Sequence, residues 1–239
     1  MNKKFLELAK KSKVIVIKVG SNILVNEKHS LRKKWLASLV EDVQKLQKKG
    51  SKIIIVSSGA IALGRKILSK KKLTNLHEKQ AAASIGQIQL SQEWQKAFAK
   101  CKIQSSQILI TAEDLNERRK YLNIRNTIYS LMDLNVVPII NENDTTSTEE
   151  IRFGDNDKLS AMIANVLSAE LLILLSDVNG LYTSNPKKSA QAKLITSVEE
   201  VNQQIEKYID KDLSEFGSGG MLAKVNAAKL CIQSGSTMI

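Results

Sequence analysis

Four short runs of apolar residues recur along the 239-residue chain, and each is bounded by polar residues. They are residues 13–19 (KVIVIKV), 53–56 (IIIV), 136–140 (VVPII) and 171–175 (LLILL). Continuous apolar runs of this length are typical of strands that are buried on both faces of a sheet. Because segments with helical spacing separate these runs, the chain is predicted to form an open, mostly parallel sheet with helices on both faces. The predicted fold class is α/β, a three-layer αβα sandwich.

The remaining elements follow from periodicity and from helix-boundary residues. Two further strands are predicted, a less regular one at 103–110 and a last one that starts at Thr237. Pro138 is unusual for a central strand because it cannot donate a ladder hydrogen bond. Gly86 is expected to bend the second long helix. Helices are predicted over 31–49, 78–100, 118–134, 158–169, 198–209 and from the glycine cluster at 217–220 to about residue 234.

The composition limits the classes of partner. The formal net charge is +12, which suggests nucleic-acid binding, but the lysines are dispersed and the ten Phe, Trp and Tyr residues form no stacking platform among them. We therefore expect no nucleic-acid partner, and also no membrane partner, since no apolar run reaches the length of a membrane helix. Cys101 and Cys231 are expected to be free thiols rather than a disulfide, which fits a cytoplasmic protein.

Residues suited to ligand binding follow four of the predicted strands. These positions are Lys18–Gly20, Ser57–Gly59, Asn141–Asp144 and Ser176–Asp177. In an open parallel sheet, ligands bind beyond the carboxyl ends of the strands. The agreement of four strand ends predicts a functional site at this edge of the sheet.

The segment 141–157 (NENDTTSTEEIRFGDND) is rich in carboxylates and side-chain amides in an otherwise basic chain. Amides and carboxylates together suit a ligand that carries both an ammonium and a carboxylate group. A hard-metal site for Mg²⁺ is the other interpretation. Asp155 and Asp157 also stand where a helix begins, and a cap or a favourable dipole contact would explain one of the two.

Glycines and two lysines indicate phosphate chemistry. Gly59 and the 217–220 cluster each precede a helix, so backbone N–H groups there can bind an anion, although neither is a Walker A or a Rossmann motif. Lys18 at a strand end and Lys224 one turn into a helix suit the two sides of a transferring phosphoryl group. With only two histidines in the chain, the chemistry is expected to need no histidine base. A carboxylate acceptor, already ionised at neutral pH, meets that condition.

Six stretches together resemble the amino acid kinase superfamily and, within it, the glutamate 5-kinase subfamily. They are VIKVGSN (16–22), IVSSGAIALG (55–64), VVPIINEND (136–144), EIRFGDNDKLSA (150–161), LLILLSDVNGLYTSNP (171–186) and GSGGMLAKVNAA (217–228). The resemblance implies ATP-dependent phosphorylation of the side-chain carboxylate of L-glutamate to L-glutamyl 5-phosphate, the first step of proline biosynthesis, with Mg²⁺. It also implies a single amino acid kinase domain over 1–239, with an amino-acid-binding lobe at about 1–153 and a nucleotide-binding lobe at about 154–239.

The resemblance assigns roles by position, and it assigns no residue as a protein ligand of a metal. The implied catalytic residues are Lys18 and Lys224, which stabilise the transferring phosphoryl group, Asp157, which orients the two lysines, and Asp155 close by. The implied glutamate-binding residues are Ser58, Gly59, Ala60, Asn141, Asp144 and Asn156. The implied ATP-binding residues are Lys18, Ser176, Asp177, Ser218, Gly219, Gly220, Met221, Leu222, Ala223 and Lys224.

Several departures and alternatives accompany the resemblance. The family often has threonine where this chain has Ala223, which removes a hydroxyl, and many members carry a C-terminal PUA domain that is not expected here. Proline as a feedback inhibitor and a homo-oligomer, a dimer or a tetramer, are implied by the family alone. Residues 145–153 are expected to form a hairpin or lid over the pocket. The alternatives are a kinase with a different acceptor and a non-enzymatic, basic RNA-binding module.

Overall fold

A computed structural model describes residues 3–70, 72–147, 155–184, 186, 189–208 and 220–239. Its centre is a six-stranded sheet in the order β3-β4-β2-β1-β5-β6, and every neighbouring pair is parallel. The strands are β1 (Val14–Val19), β2 (Lys52–Ser57), β3 (Gln104–Ile110), β4 (Val136–Glu142), β5 (Leu171–Leu175) and β6 (Thr237–Met238). The predicted parallel sheet is therefore confirmed.

Helices connect the strands and cover both faces of the sheet. Those before β4 are α1 (Lys3–Lys11), α2 (Ser21–Leu24), α3 (Lys33–Gln47), α4 (Ala60–Ile67), α5 (Leu76–Lys100) and α6 (Arg118–Asp133). Those after it are α7 (Asp155–Val166), α8 (Gln203–Tyr208) and α9 (Met221–Gln233). The helix predicted over 198–209 is shorter than expected, because residues 198–202 precede α8 without forming a helical turn.

The core lies in two layers, one on each face of the sheet. Alternate side chains of β1 separate them: Ile15 and Ile17 belong to one cluster, and Val16 to the other. Trp94 and Phe98 of α5 pack in the first cluster, and residues of α6, α7 and α9 pack in the second. A strand whose side chains are buried on both sides reads as a continuous apolar run, which explains the sequence pattern. The three-layer αβα arrangement is thus confirmed.

Pro138 is accommodated by the way β4 pairs with its two neighbours. On the β3 side it lies opposite Ser106. On the β2 side the register covers Ile139 and Ile140, so pairing begins one residue after the proline. The proline therefore lies outside the paired register with β2. β4 also extends beyond the predicted end, so that Asn141 lies within the strand.

Gly86 does not end or interrupt its helix, because α5 continues from Leu76 to Lys100. The glycine has a packing role. A Cβ atom at Gly86 would lie 1.8 Å from the Ala60 carbonyl oxygen, and one at Gly64 would lie 1.8 Å from that of Ala82. Two glycines thus allow α4 and α5 to pack backbone against backbone. This contact holds the start of α4 directly against α5.

Two simpler expectations can be compared with the structure. Cys101 and Cys231 are free thiols, as predicted. Cys231 is buried, and burial raises the pKa of its thiol to about 11, so it stays protonated and unreactive. Among the described residues, no helix combines the length and the apolarity that crossing a membrane requires.

Candidate active site

One carboxylate and two lysines from different elements meet at the carboxyl edge of the sheet. Asp157 Oδ1 lies 2.5 Å from Lys18 Nζ, and Asp157 Oδ2 accepts a hydrogen bond of 2.9 Å from Lys224 Nζ. Lys18 belongs to β1, Asp157 to the first turn of α7, and Lys224 to the first turn of α9. The side chains of Lys18, Asp157 and Lys224 are 8%, 1% and 17% exposed. The site thus holds two cations on the two oxygens of one buried anion.

Burial and the negative charge of Asp157 act in opposite directions on the pKa of Lys18. Loss of water lowers the pKa of its ammonium group, while Asp157 raises it and Lys224 lowers it further. The net result is a pKa below the ordinary lysine value of 10.5. A buried cation with so little solvent depends on its anionic neighbour to remain charged. An additional anion at this position would therefore stabilise the charged form.

The position of Asp157 follows from the start of α7. The helix begins at Asp155, so the Asp157 carboxylate lies in the first turn, where the helix dipole favours a negative charge. Ser160 Oγ donates a hydrogen bond of 2.7 Å to the Asp157 carbonyl oxygen. The helix start fixes the carboxylate, and the carboxylate in turn fixes both lysines. The side chain of Asp155 lies outside the described part of the chain.

A second group of polar side chains is neutral and lies next to the ion pairs in sequence. Asn156 Nδ2 donates to Ser58 Oγ at 2.8 Å and to Asn141 Oδ1 at 2.9 Å. Asn141 is 3% exposed, and its Nδ2 donates to Gln87 Oε1 at 2.8 Å. The Asn156 Oδ1 atom is buried and has no hydrogen-bond partner among the described residues. Ser58, Asn141 and Asn156, three predicted pocket residues, are thus in direct contact.

The turn from β2 to α4 places Ser58 and Gly59 beside β1. Ser58 N donates to the Val19 carbonyl oxygen at 3.0 Å. Gly59 adopts φ 119°, a left-handed conformation that L side chains rarely adopt, and is the N-cap of α4. Ala60 begins the helix and is 2% exposed. The free backbone N–H groups of the first helical turn therefore begin at the predicted amino-acid pocket.

Asp177 follows β5 and contacts the loop after β1. Its carboxylate accepts hydrogen bonds of 3.3 Å from Asn22 Nδ2 and from Ser176 Oγ. Partial burial alone would raise the pKa of Asp177, but these hydrogen bonds and the charge of Lys224 outweigh it, so the pKa lies below the ordinary 3.8. An ionised carboxylate thus lies near Lys18 and Lys224, at the carboxyl end of β5.

The other predicted nucleotide-binding residues are only partly described. Ser218 and Gly219 lie outside the described residues, as does the 148–153 part of the predicted lid. Gly220 is the N-cap of α9, and Met221, Leu222 and Ala223 form its first turn with Lys224. Asp144 follows β4, is partly buried and has a bonding partner of its own.

The sequence did not indicate two residues of this site, Gln87 and Asn22. Gln87 bonds Asn141 although 54 positions separate them, and Asn22 bonds Asp177 across 155 positions. Asn22 is the last residue of the VIKVGSN stretch (16–22), and its place in that stretch could have indicated it. Gln87 looks like any polar residue of an amphipathic helix, and only its position after Gly86 distinguishes it.

Comparison with known proteins assigns the chain to a family. Residues 13–239 match the amino acid kinase family. The chain belongs to the amino acid kinase family. It is 50% identical to the glutamate 5-kinase of Pelagibacter ubique over 96% of this chain and 63% of that protein. It is 47% identical to that of Nitrosospira multiformis over 95% of this chain and 61% of the relative.

A solved structure supports the fold independently. Carbamate kinase from Giardia lamblia bound to AMP-PNP superposes with a TM-score of 0.65 and 18% identity, covering 96% of this chain and 92% of that one. At this identity the likeness concerns the fold alone. The chain spans about 60% of the length of the curated relatives that it matches.

Proposed function

We propose that this member of the amino acid kinase family transfers the γ-phosphoryl group of ATP to the side-chain carboxylate of L-glutamate. The observation that carries the proposal is the pair Lys18 and Lys224 on the two oxygens of the buried Asp157. The neutral amide cluster at Ser58, Asn141 and Asn156 lies beside it, as an amino-acid acceptor requires. The relatives named glutamate 5-kinase support L-glutamate as the acceptor.

The reaction needs no proton transfer to or from the acceptor. A glutamate carboxylate oxygen attacks the γ-phosphorus, the bond to the bridging oxygen of ADP breaks, and its electron pair leaves with ADP. With a pKa of about 4.3 the acceptor is already ionised. The difficulty is repulsion between the anionic carboxylate and the anionic phosphates. Two ammonium groups held at fixed positions offset that repulsion, and most strongly when charge is spread over the phosphoryl oxygens.

Asp157 acts as a positioning residue in this scheme. Its two oxygens each hold one ammonium group, which limits the number of conformations that the long lysine side chains adopt. Each ammonium has three N–H donors, so contact with Asp157 leaves donors available for phosphoryl oxygens. Since one anion balances two cations, the cluster keeps a positive charge for the incoming nucleotide.

The divalent ion is part of the proposal. Within the described ranges no three His, Cys, Asp or Glu side chains come together as a metal cluster. We propose that Mg²⁺ enters with ATP and is held mainly by phosphate oxygens, as a hard cation with oxygen ligands, and that the Asp177 carboxylate, which is ionised at neutral pH, is suited to join it. Bound there, Mg²⁺ would neutralise phosphate charge.

Further assignments rest on the family and remain part of the proposal. Asp155 is proposed to assist Asp157, and Gly59, Ala60 and Asp144 to complete the glutamate pocket. Ser176, Asp177 and the 218–224 stretch are proposed to bind ATP. We also propose the first step of proline biosynthesis, a cytoplasmic location, feedback inhibition by proline, a homo-oligomer and the lobe boundary near residue 153.

The test is ADP release from ATP and Mg²⁺ with a panel of acceptors: L-glutamate, L-aspartate, N-acetyl-L-glutamate and UMP. We expect turnover with glutamate above all others. Turnover with a different member of the panel would retain the kinase and replace its acceptor. No acceptor-dependent ADP release from the folded chain would overturn the proposal.

The alkaline limb of the pH profile should report Lys18. The pKa of its ammonium lies below 10.5, so activity should fall as pH rises through that lowered value and the positive charge is lost. The limb for kcat should lie at higher pH than that for kcat/KM of ATP, since bound phosphate stabilises the ammonium. In Lys18→Arg, the affinity for ATP that remains should no longer decrease at alkaline pH, because a guanidinium stays charged. An unchanged limb in that variant would assign the titration to another group.

Asp144 should act on the amino acid rather than on the phosphoryl group. Asp144→Asn keeps the shape of the side chain and removes its charge. We expect KM for glutamate to rise about tenfold or more, with KM for ATP little changed, because a charge-assisted bond to the ligand ammonium is weakened. Steady-state kinetics with each substrate varied in turn measures both values. A selective rise in KM for ATP would place Asp144 at the other half of the site.

A further inference from the structure

At the predicted amino-acid pocket, side-chain amides from three elements form a continuous hydrogen-bonded series. Gln87 Oε1 of α5 accepts from Asn141 Nδ2 of β4 at 2.8 Å. Asn141 Oδ1 accepts from Asn156 Nδ2 of α7 at 2.9 Å. Asn156 Nδ2 also donates to Ser58 Oγ at 2.8 Å. Every member of the series is buried or half-buried.

At its far end the series reaches Ser91, whose hydroxyl donates to one glutamine and accepts from another. The Ser91 hydroxyl donates to Gln107 Oε1, so the lone pairs of Ser91 Oγ remain to accept from Gln87 Nε2 at 3.2 Å. With its nitrogen directed to Ser91, Gln87 presents its oxygen to Asn141. Asn141 must then direct its nitrogen to Gln87 and its oxygen to Asn156. A flipped Asn141 amide would place its oxygen against Gln87 Oε1 and its nitrogen against Asn156 Nδ2.

The consequence appears at Asn156. A primary amide nitrogen has two N–H donors, and Asn156 Nδ2 uses them on Ser58 Oγ and Asn141 Oδ1. Its oxygen is buried without a partner among the described residues. A buried acceptor in this state costs free energy that a donor on a ligand would recover. In this arrangement the site offers the ligand an acceptor, Asn156 Oδ1.

We propose that Gln87 is a positioning residue, which sets the orientation of the Asn141 and Asn156 amides so that Asn156 Oδ1 accepts from the ammonium group of the bound amino acid. This inference rests on the proposed function and adds a residue to it. Gln87 does not touch the ligand in this scheme. Its effect passes through two amides, and it should therefore be selective for the part of the substrate that carries the ammonium.

The backbone explains why Gln87 reaches this position. It follows Gly86, whose missing side chain allows α5 to contact the Ala60 carbonyl oxygen at the start of α4. That contact lies at the same turn as Ser58 and Gly59. Gln87 is therefore held by a long helix rather than by a loop, and a rigid element is what a positioning residue needs.

The experiment compares Gln87→Met, Gln87→Glu and the parent with L-glutamate and with glutarate, which lacks the ammonium group. Met is close in size to Gln but has no amide, whereas Glu keeps an acceptor oxygen for Asn141 Nδ2. In Gln87→Met we expect kcat/KM for glutamate to fall about tenfold. The kcat/KM for glutarate and the KM for ATP should stay within about twofold of the parent values. Gln87→Glu should restore the preference for glutamate to within about threefold of the parent.

Gln89→Met is the matched control, since residue 89 lies on the same helix but about 200° around its axis from residue 87. Thermal unfolding of each variant identifies a loss of folding, and Gln87→Ala replaces Gln87→Met if the latter does not fold. Equal losses for glutamate and glutarate, or no loss for either, would overturn the positioning role while leaving the kinase intact. Absence of glutamate turnover in the parent would overturn the proposed function and, with it, this inference.

Discussion

Lys224→Ala is expected to lower kcat by about 10²–10³-fold while KM for glutamate changes by less than about threefold. The Lys224 ammonium is held at 2.9 Å from Asp157 Oδ2 and is partly exposed, as a group that also contacts the transferring phosphoryl would be. Its loss removes one of two cations where charge develops. Lys18 remains on the other oxygen of Asp157, so the carboxylate keeps one partner and the fold should persist.

Steady-state kinetics with ATP and glutamate varied separately measures this effect. Lys229→Ala is the matched control, because Lys229 lies on the same helix and pairs with Glu206 at the surface. Surface pairs of this kind contribute little, so its kinetics should match the parent. A rise in KM for glutamate at unchanged kcat in Lys224→Ala would place Lys224 in the amino-acid pocket and contradict the proposed division of the site.

Gly86→Ala is expected to lower the free energy of unfolding by about 3 kcal/mol or more. The added Cβ would lie 1.8 Å from the Ala60 carbonyl oxygen and 2.5 Å from the Gly64 nitrogen. Both atoms belong to the backbone, so neither can move aside as a flexible side chain would. Helices α4 and α5 must separate, which also withdraws Gln87 from Asn141.

Urea unfolding followed by circular dichroism measures the change, and Ser84→Ala is the control. Ser84 lies on the exposed side of the same helix, so its substitution should alter the free energy of unfolding by no more than about 0.5 kcal/mol. Gly64→Ala should resemble Gly86→Ala, since its Cβ would meet the Ala82 carbonyl oxygen. Unchanged stability in both glycine variants would show that the two helices are not in backbone contact.

Residues with a local signature could be found from the sequence. Lys18 ends an apolar run, Ser58 and Gly59 follow another, and Asp157 stands where a helix begins; the structure brings the groups at these strand and helix ends to one edge. Local chemistry suffices here because the carboxyl ends of parallel strands all meet at that edge. For Gly86 the same local reasoning predicted a bend and did not indicate the close contact with α4 that the structure shows.

Gln87 shows where local reasoning stops. Its partner Asn141 is 54 positions away and lies on a strand, and no periodicity or spacing connects them. The same holds for Asn22 with Asp177. These contacts depend on how closely the elements pack, which is a property of pairs of surfaces rather than of either segment.

The sequence by itself determined the order of strands and helices along the chain and the parallel sheet, and it predicted the edge at which ligands bind. Hydrophobic periodicity and the residues at strand ends are local properties, and they agree with one another along the chain. Only the tertiary structure decided that each oxygen of Asp157 holds one of the two lysines, and that Gln87 is hydrogen-bonded to Asn141. Hydrogen bonds and ion pairs act over about 3 Å, so their partners are known only once distant segments are packed together.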